Sequence, residues 1–131
     1  VNYDRFLGQV QSRLRLSSRQ EAVRATRVVL TALGERLQEG EAKDLAGPLP
    51  MEIDRFLLEA DSGQRFPFDE FVARVADGER IDRADAVYHA QQLMTVVAEA
   101  VPSGEFRQVR EQLPEDYEVL FRLVDTGTAT P

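Results

Sequence analysis

The stretch Tyr3-Asp4-Arg5-Phe6-Leu7 returns sixty-five residues later as Phe68-Asp69-Glu70-Phe71-Val72. Working outward from this pair, the same spacing joins Val10 to Val75, Leu16 to Ile81, Ala25 to Ala90, Val28 to Leu93 and Val29 to Met94. From Glu35 and Glu99 onward the spacing is sixty-four, which aligns Leu37 with Val101, Gly40 with Gly104, Leu49-Pro50 with Leu113-Pro114, Ile53 with Tyr117 and Leu57 with Phe121. One single-residue gap near Gly34 accounts for the change. Apolar residues match apolar ones at core-type intervals, and Gly and Pro punctuate equivalent places, so the pattern predicts two copies of one supersecondary unit.

Within each copy the apolar positions recur every three or four residues, the period of an amphipathic helix and not of a strand. Phe6, Leu7, Val10 and Leu14 make the first stripe. Ser17 is placed to cap the next helix, with Gln20 reaching back and Asp82 and Asp85 in the corresponding places of the second copy. The second helix buries Ala22, Ala25, Val29, Leu33 and Leu37, matched by Ala86, Ala90, Leu93, Met94, Val97 and Val101. Gly40 and Gly104 are expected to end it by taking a positive φ. A short third helix follows, and Pro50 or Pro114 opens the fourth, where a missing N–H costs nothing.

The expected fold is therefore all-α: two four-helix repeats packed into one eight-helix, bundle-like domain. Residues 1–58 form the first repeat, 59–65 a linker, 66–124 the second repeat and 125–131 a disordered tail without an apolar anchor. A unit of about 60 residues buries little surface alone, so the copies are expected to share a core.

The 131 residues are 43% apolar and 30% charged, a composition that supports a folded core. No apolar run approaches the roughly 20 residues of a membrane span, and no charged-then-apolar leader opens the sequence, so a cytoplasmic protein without a membrane span is expected. Zero cysteines exclude disulfides and thiolate chemistry, and a single histidine excludes an imidazole-rich metal centre. The net charge of −7 is uneven: residues 1–65 carry ten basic and ten acidic side chains, residues 66–131 six and thirteen. Within the neutral half, Arg13, Arg15, Arg19, Arg24 and Arg27 crowd into fifteen residues against Glu21 alone. Guanidinium groups grip carboxylates or phosphates in bidentate fashion, so these five form the candidate partner or anion site. The overall negative charge opposes nucleic-acid binding. A protein partner, or a second copy in a homodimer, fits better.

Catalytic signals are weak. His89 is the single histidine and so the natural candidate for acid–base work, yet its repeat counterpart at this spacing is Arg24 and no serine or acid at a telling spacing completes a triad with it. The carboxylate pairs Asp69/Glu70, Glu115/Asp116 and Glu41/Asp44 sit at helix starts, where the macrodipole explains them. No calcium loop, phosphate loop or dinucleotide turn is present in the sequence, so no cofactor, metal or catalytic residue is expected. Phe6, Phe71, Met94, Phe106 and Phe121 are candidates to line an apolar pocket between the copies, although such residues at helical spacing also read as core.

The Tyr3–Leu7 opening, the run Ala25-Thr26-Arg27-Val28-Val29-Leu30-Thr31-Ala32-Leu33-Gly34-Glu35-Arg36-Leu37, the segment Gly40-Glu41-Ala42-Lys43-Asp44-Leu45-Ala46 and the two Leu-Pro pairs together resemble the bacterial domain of unknown function 2267 family. The resemblance spans Tyr3 to about Val124. It implies an all-helical duplicated protein and supplies no established activity, cofactor or catalytic residue. Gln92 is the counterpart of Arg27 at this spacing, so an anion site there belongs to the first copy alone. The expected function is a non-enzymatic helical protein–protein interaction module. The alternative is a small-molecule or lipid-tail binding protein.

Overall fold

The computed structural model describes residues 1–129, and its elements follow the apolar periodicity closely. They are α1 (Tyr3–Arg13), α2 (Arg19–Arg36), α3 (Glu39–Ala46), α4 (Met51–Leu58), α5 (Phe68–Glu79), α6 (Arg83–Ala100), α7 (Ser103–Glu111), a 3₁₀ segment (Glu115–Phe121) and α8 (Arg122–Ala129). Among the described residues there is no strand, and no helix is long and apolar enough to cross a membrane.

Side-chain caps set the helix starts, because the first N–H groups of a helix have no partner within it. Asn2 Oδ1 accepts from the Arg5 N–H at 2.8 Å, and Asp82 Oδ1 accepts from Asp85 N–H at 2.8 Å. The cap of α2 is Ser18, which accepts from Glu21 N–H at 3.1 Å, and not Ser17, whose hydroxyl instead donates to the Glu21 carboxylate. The helix ends also differ from expectation. Gly40 and Gly104 lie in the first turns of α3 and α7, while α2 and α6 stop where Leu37 and Val101 turn extended with ψ of 158° and 139°. Both residues are buried, so tertiary packing of a large side chain ends each helix without help from glycine.

The two longest helices, α2 and α6, are each 18 residues long and start sixty-four residues apart. Their buried rows keep that spacing: Ala22, Val29, Leu30, Ala32 and Leu33 on α2 against Ala86, Leu93, Met94, Val96 and Val97 on α6. The change from sixty-five to sixty-four therefore falls in the turn before α2, not near Gly34. On the N-terminal side of that turn, Arg15 and Arg80 are the two non-glycine residues with positive φ among the described residues, at 58° and 60°, sixty-five residues apart. Each closes its helix the same way, with Leu16 N–H donating to Gln11 and Ile81 N–H to Ala76.

Packing joins the two ends of the chain. α1 lies against α2 and α6, α2 against α4, α5 and α6, α3 against α7, and α6 also against the 3₁₀ segment and α8. One buried cluster runs through all of them, from Phe6 to Val124. The connection after α4 is pinned to the end of α2: Gly63, at φ +84°, donates to Leu37 O at 2.7 Å, and Gln64 N–H donates to Glu35 O at 2.9 Å. Phe66 O then accepts from both Arg36 Nε at 2.9 Å and the Tyr117 hydroxyl at 2.8 Å. Tyr117 is fully buried, and burial pushes its phenol well above the ordinary tyrosine range.

Two expectations for the C-terminal part are corrected. The fourth helix of the second half is not one α-helix but a 3₁₀ segment leading into α8. Tyr117 and Leu120, both fully buried, stand three residues apart, the spacing that a 3₁₀ turn stacks. Residues 125–129, expected as a disordered tail, continue α8, and residues 130–131 of that tail lie outside the described residues. The reason is electrostatic: Asp125 receives two hydrogen bonds from Arg110, at 2.6 and 2.8 Å, and Arg110 also holds Glu118 and covers the Phe121 ring at 4.8 Å. The hydrogen bond from Arg110 holds the Asp125 carboxyl below its ordinary value of 3.8. A carboxyl depressed on folding contributes stability above its unfolded pKa and loses it as pH falls through the folded value. Amide protection in residues 122–127, taken relative to the intrinsic exchange rate at each pH, is therefore expected to fall when pH is lowered below 3.8, and exchange there to rise roughly fivefold at neutral pH in Arg110→Ala.

Candidate functional site

The five candidate arginines divide into two groups. Arg13 ends α1 and crosses to α6, donating from Nη1 to Thr95 Oγ1 at 2.8 Å and pairing with Glu99 at 2.7 Å. Arg19 pairs with Asp4 at 2.5 Å and lies 5.3 Å from the Tyr3 ring centroid. These two cations hold the ends of α1 in place. Arg15, Arg24 and Arg27 are exposed, and none of them makes an ion pair or side-chain hydrogen bond among the described residues. The structure thus brings Arg24 and Arg27 together on one exposed stretch of α2 and places Arg15 in the left-handed turn just before it.

Arg27 borders a groove of about 350 Å³ between α2 and α5, with Val28, Thr31 and Ala32 from one helix and Arg74 and Gly78 from the other. The two helices meet closely here because Gly78 has no side chain: a Cβ would come within 2.6 Å of Val28 Cγ1. Arg74, unlike Arg27, is fully engaged. It pairs with Glu35 at 3.0 Å and with Glu70, donates to Gln64, and stacks 3.9 Å from the Phe66 ring centroid. The groove therefore has an end at Arg74 where two carboxylates face one cation, and a positive end at Arg27, which has no ion-pair partner among the described residues.

The five candidate pocket residues are all in the core. Phe6 and Phe71 are fully buried, Met94 and Phe121 nearly so, and Phe106 is 8% exposed. They fall into separate packing groups: Phe71 contacts Phe68 and Tyr117, whereas Phe106 meets Phe121 edge-on at 5.7 Å. Phe6 borders a cleft of about 230 Å³ beside Val96 and Ala100. A larger cleft of about 470 Å³ lies elsewhere, between the end of α1, α6 and α8, where Ala98, Leu123 and Val124 meet Arg13, Thr95 and Glu99.

His89 is not at the surface. Its Nδ1 lies 2.8 Å from Glu79 Oε1, the two side chains being 12% and 5% exposed. Glu79 Oε2 is buried without a hydrogen-bond partner. Sequence reasoning missed Glu79, yet a signal existed: at the spacing of sixty-five its counterpart is Leu14, a core residue. At the structural spacing of sixty-four the counterpart of His89 is Ala25, also fully buried. At these sequence spacings an acid and an imidazole stand against two buried apolar residues. Among the described residues no group of three or more His, Asp or Glu side chains gathers as metal ligands. Of the helix-start carboxylates, Asp116 accepts from the Phe68 N–H at 2.8 Å and so caps α5 from a distance, and Glu41 accepts from Gln38 N–H at 3.2 Å.

Among the described residues the protein is all-helical, and its long helix α2 carries two exposed arginines, Arg24 and Arg27, without ion-pair partners. The model of the family described as Uncharacterized conserved protein (DUF2267) matches residues 3–120, and the chain belongs to that family. No curated protein matches the sequence.

Proposed function

We propose that the chain is a doubled four-helix unit, residues 1–58 and 66–124 about the linker 59–65, that works as a non-enzymatic protein–protein interaction module. The doubling is supported by equivalent contacts: α1 against α6 has its counterpart in α5 against α2, and α3 meets α7. The inter-half ion pairs Arg13–Glu99 and Arg74–Glu35 also end on glutamates sixty-four residues apart. The interaction role rests on one observation, the exposed and unpaired Arg24 and Arg27 on α2. A side chain that contributes nothing to the fold is free to serve a partner, and arginine is enriched at the centres of interfaces.

The test is affinity capture from the native cell with wild-type protein and Arg24→Glu/Arg27→Glu. Exposed residues without partners leave the melting temperature unchanged on substitution, while a partner bound through this face is lost by at least about tenfold. Equal capture by both proteins would refute the assignment of the face.

A second reading, a small-molecule carrier, is favoured by the α6–α8 cleft, whose size falls in the range of ligand sites and whose wall joins apolar Leu123 and Val124 to the polar Arg13 and Thr95. Native mass spectrometry of freshly purified protein tests it, a bound adduct being the expected sign.

A further inference from the structure

Taking that interaction reading as its basis, we infer that the α2–α5 groove receives an acidic amphipathic helix of a different protein chain. Charge and shape argue for this occupant together. The groove runs between two helices, has an apolar floor of Val28 and Ala32, and is bordered by the exposed Arg27, with the exposed Arg24 three residues earlier on α2, beyond the groove's lining. Its other end holds Arg74 against two carboxylates, Glu35 and Glu70, and so offers no free cation there. A helix laid into such a groove puts apolar side chains at i and i+3 or i+4 on the floor and acids at the flank toward Arg24 and Arg27.

The same charges argue against the other occupants. Phosphate-rich nucleic acid would meet two arginines on a chain of net charge −7, with thirteen acids in the half that supplies α5. A second copy offering its acidic half to this groove must do so reciprocally about a two-fold axis to close; otherwise the contact is heterologous and leaves a groove vacant at one end and an acidic face free at the other. A soluble partner with a short acidic helix has neither problem.

The probe is a lactam-stapled helical peptide of about sixteen residues with leucines on one stripe and glutamates on both flanks, titrated into isotopically labelled protein and followed by amide shifts. Saturable shifts confined to residues 20–35 and 70–78 are expected, with an affinity that weakens about tenfold in Arg24→Glu/Arg27→Glu, and about as much when the peptide's glutamates become glutamines. No saturable binding, shifts centred on the α6–α8 cleft, or an affinity indifferent to the double variant would overturn the inference. So would displacement of the peptide by an equal concentration of duplex oligonucleotide, or concentration-dependent dimerisation in sedimentation that the double variant abolishes. If the peptide fails while capture from cells still depends on Arg24 and Arg27, the helix is the wrong occupant and the interaction face stands.

Discussion

Replacing His89 by alanine is expected to destabilise the fold by about 3–5 kcal/mol, because it breaks a largely buried pair and leaves the other member behind. Among the described residues the Glu79 carboxylate meets His89 alone, at 2.8 Å, and its second oxygen has no hydrogen-bond partner. Removing the imidazole leaves a carboxylate 5% exposed with nothing to compensate its lost hydration. A typical domain has about 5–15 kcal/mol of stability in total, so urea denaturation should show a large drop in midpoint with little change in slope. The partner experiment separates this cause from simple loss of volume. Glu79→Leu combined with His89→Ala installs the residues that stand at these spacings in the first half, Leu14 and Ala25, and it should recover most of the loss. A residual deficit of about 1–2 kcal/mol is expected from the space vacated by the ring. The two single effects should therefore be strongly non-additive. A His89→Ala variant within about 0.5 kcal/mol of wild type would mean that Glu79 is satisfied by something other than His89.

The buried pair also marks where sequence reasoning stopped and why. Helical periodicity located α1, α2, α5 and α6 because each has a continuous apolar stripe, and Pro50 and Pro114 were legible because proline fits before a helix and not within it. The register between the halves was not legible to one residue. α2 carries apolar neighbours at Val28, Val29 and Leu30, so α6 matches it acceptably at either sixty-four or sixty-five, although a one-residue shift turns a helix by about 100°. That ambiguity paired His89 with exposed Arg24, when its structural counterpart is buried Ala25. Glu79 escaped notice because a glutamate at the end of a helix ordinarily lies in solvent. The fates of the arginines were equally hidden: Arg13 finds Glu99 eighty-six residues away, a contact created by α1 crossing α6 and by nothing local. What the sequence did locate was the cluster itself, and the structure sorts it into Arg13 and Arg19, which tie down the fold, and Arg15, Arg24 and Arg27, which do not.

Gly34→Ala is expected to lower stability by about 1–3 kcal/mol even though alanine is the better helix former by about 1 kcal/mol. Near the end of α2, a Cβ on Gly34 would lie 2.8 Å from Ala60 Cβ, 2.9 Å from Leu57 O and 3.2 Å from Leu57 Cα. Two of these three neighbours are backbone atoms, which cannot swing aside as a flexible side chain does. The end of α4 and the following connection must move instead. Movement there strains the hydrogen bonds from Gly63 to Leu37 O and from Gln64 to Glu35 O, which fasten that connection to α2. Amide exchange at residues 57–64 should accordingly accelerate along with the drop in urea midpoint. The internal control is the same substitution at Gly8, whose position in α1 has open space within 4 Å. There the propensity gain acts alone, and Gly8→Ala should stabilise by about 0.5–1 kcal/mol. Opposite signs from one chemical change would establish that α2 and α4 are held at backbone contact through Gly34. Equal, stabilising effects at both positions would show that α4 can yield, and with it the connection between the two halves.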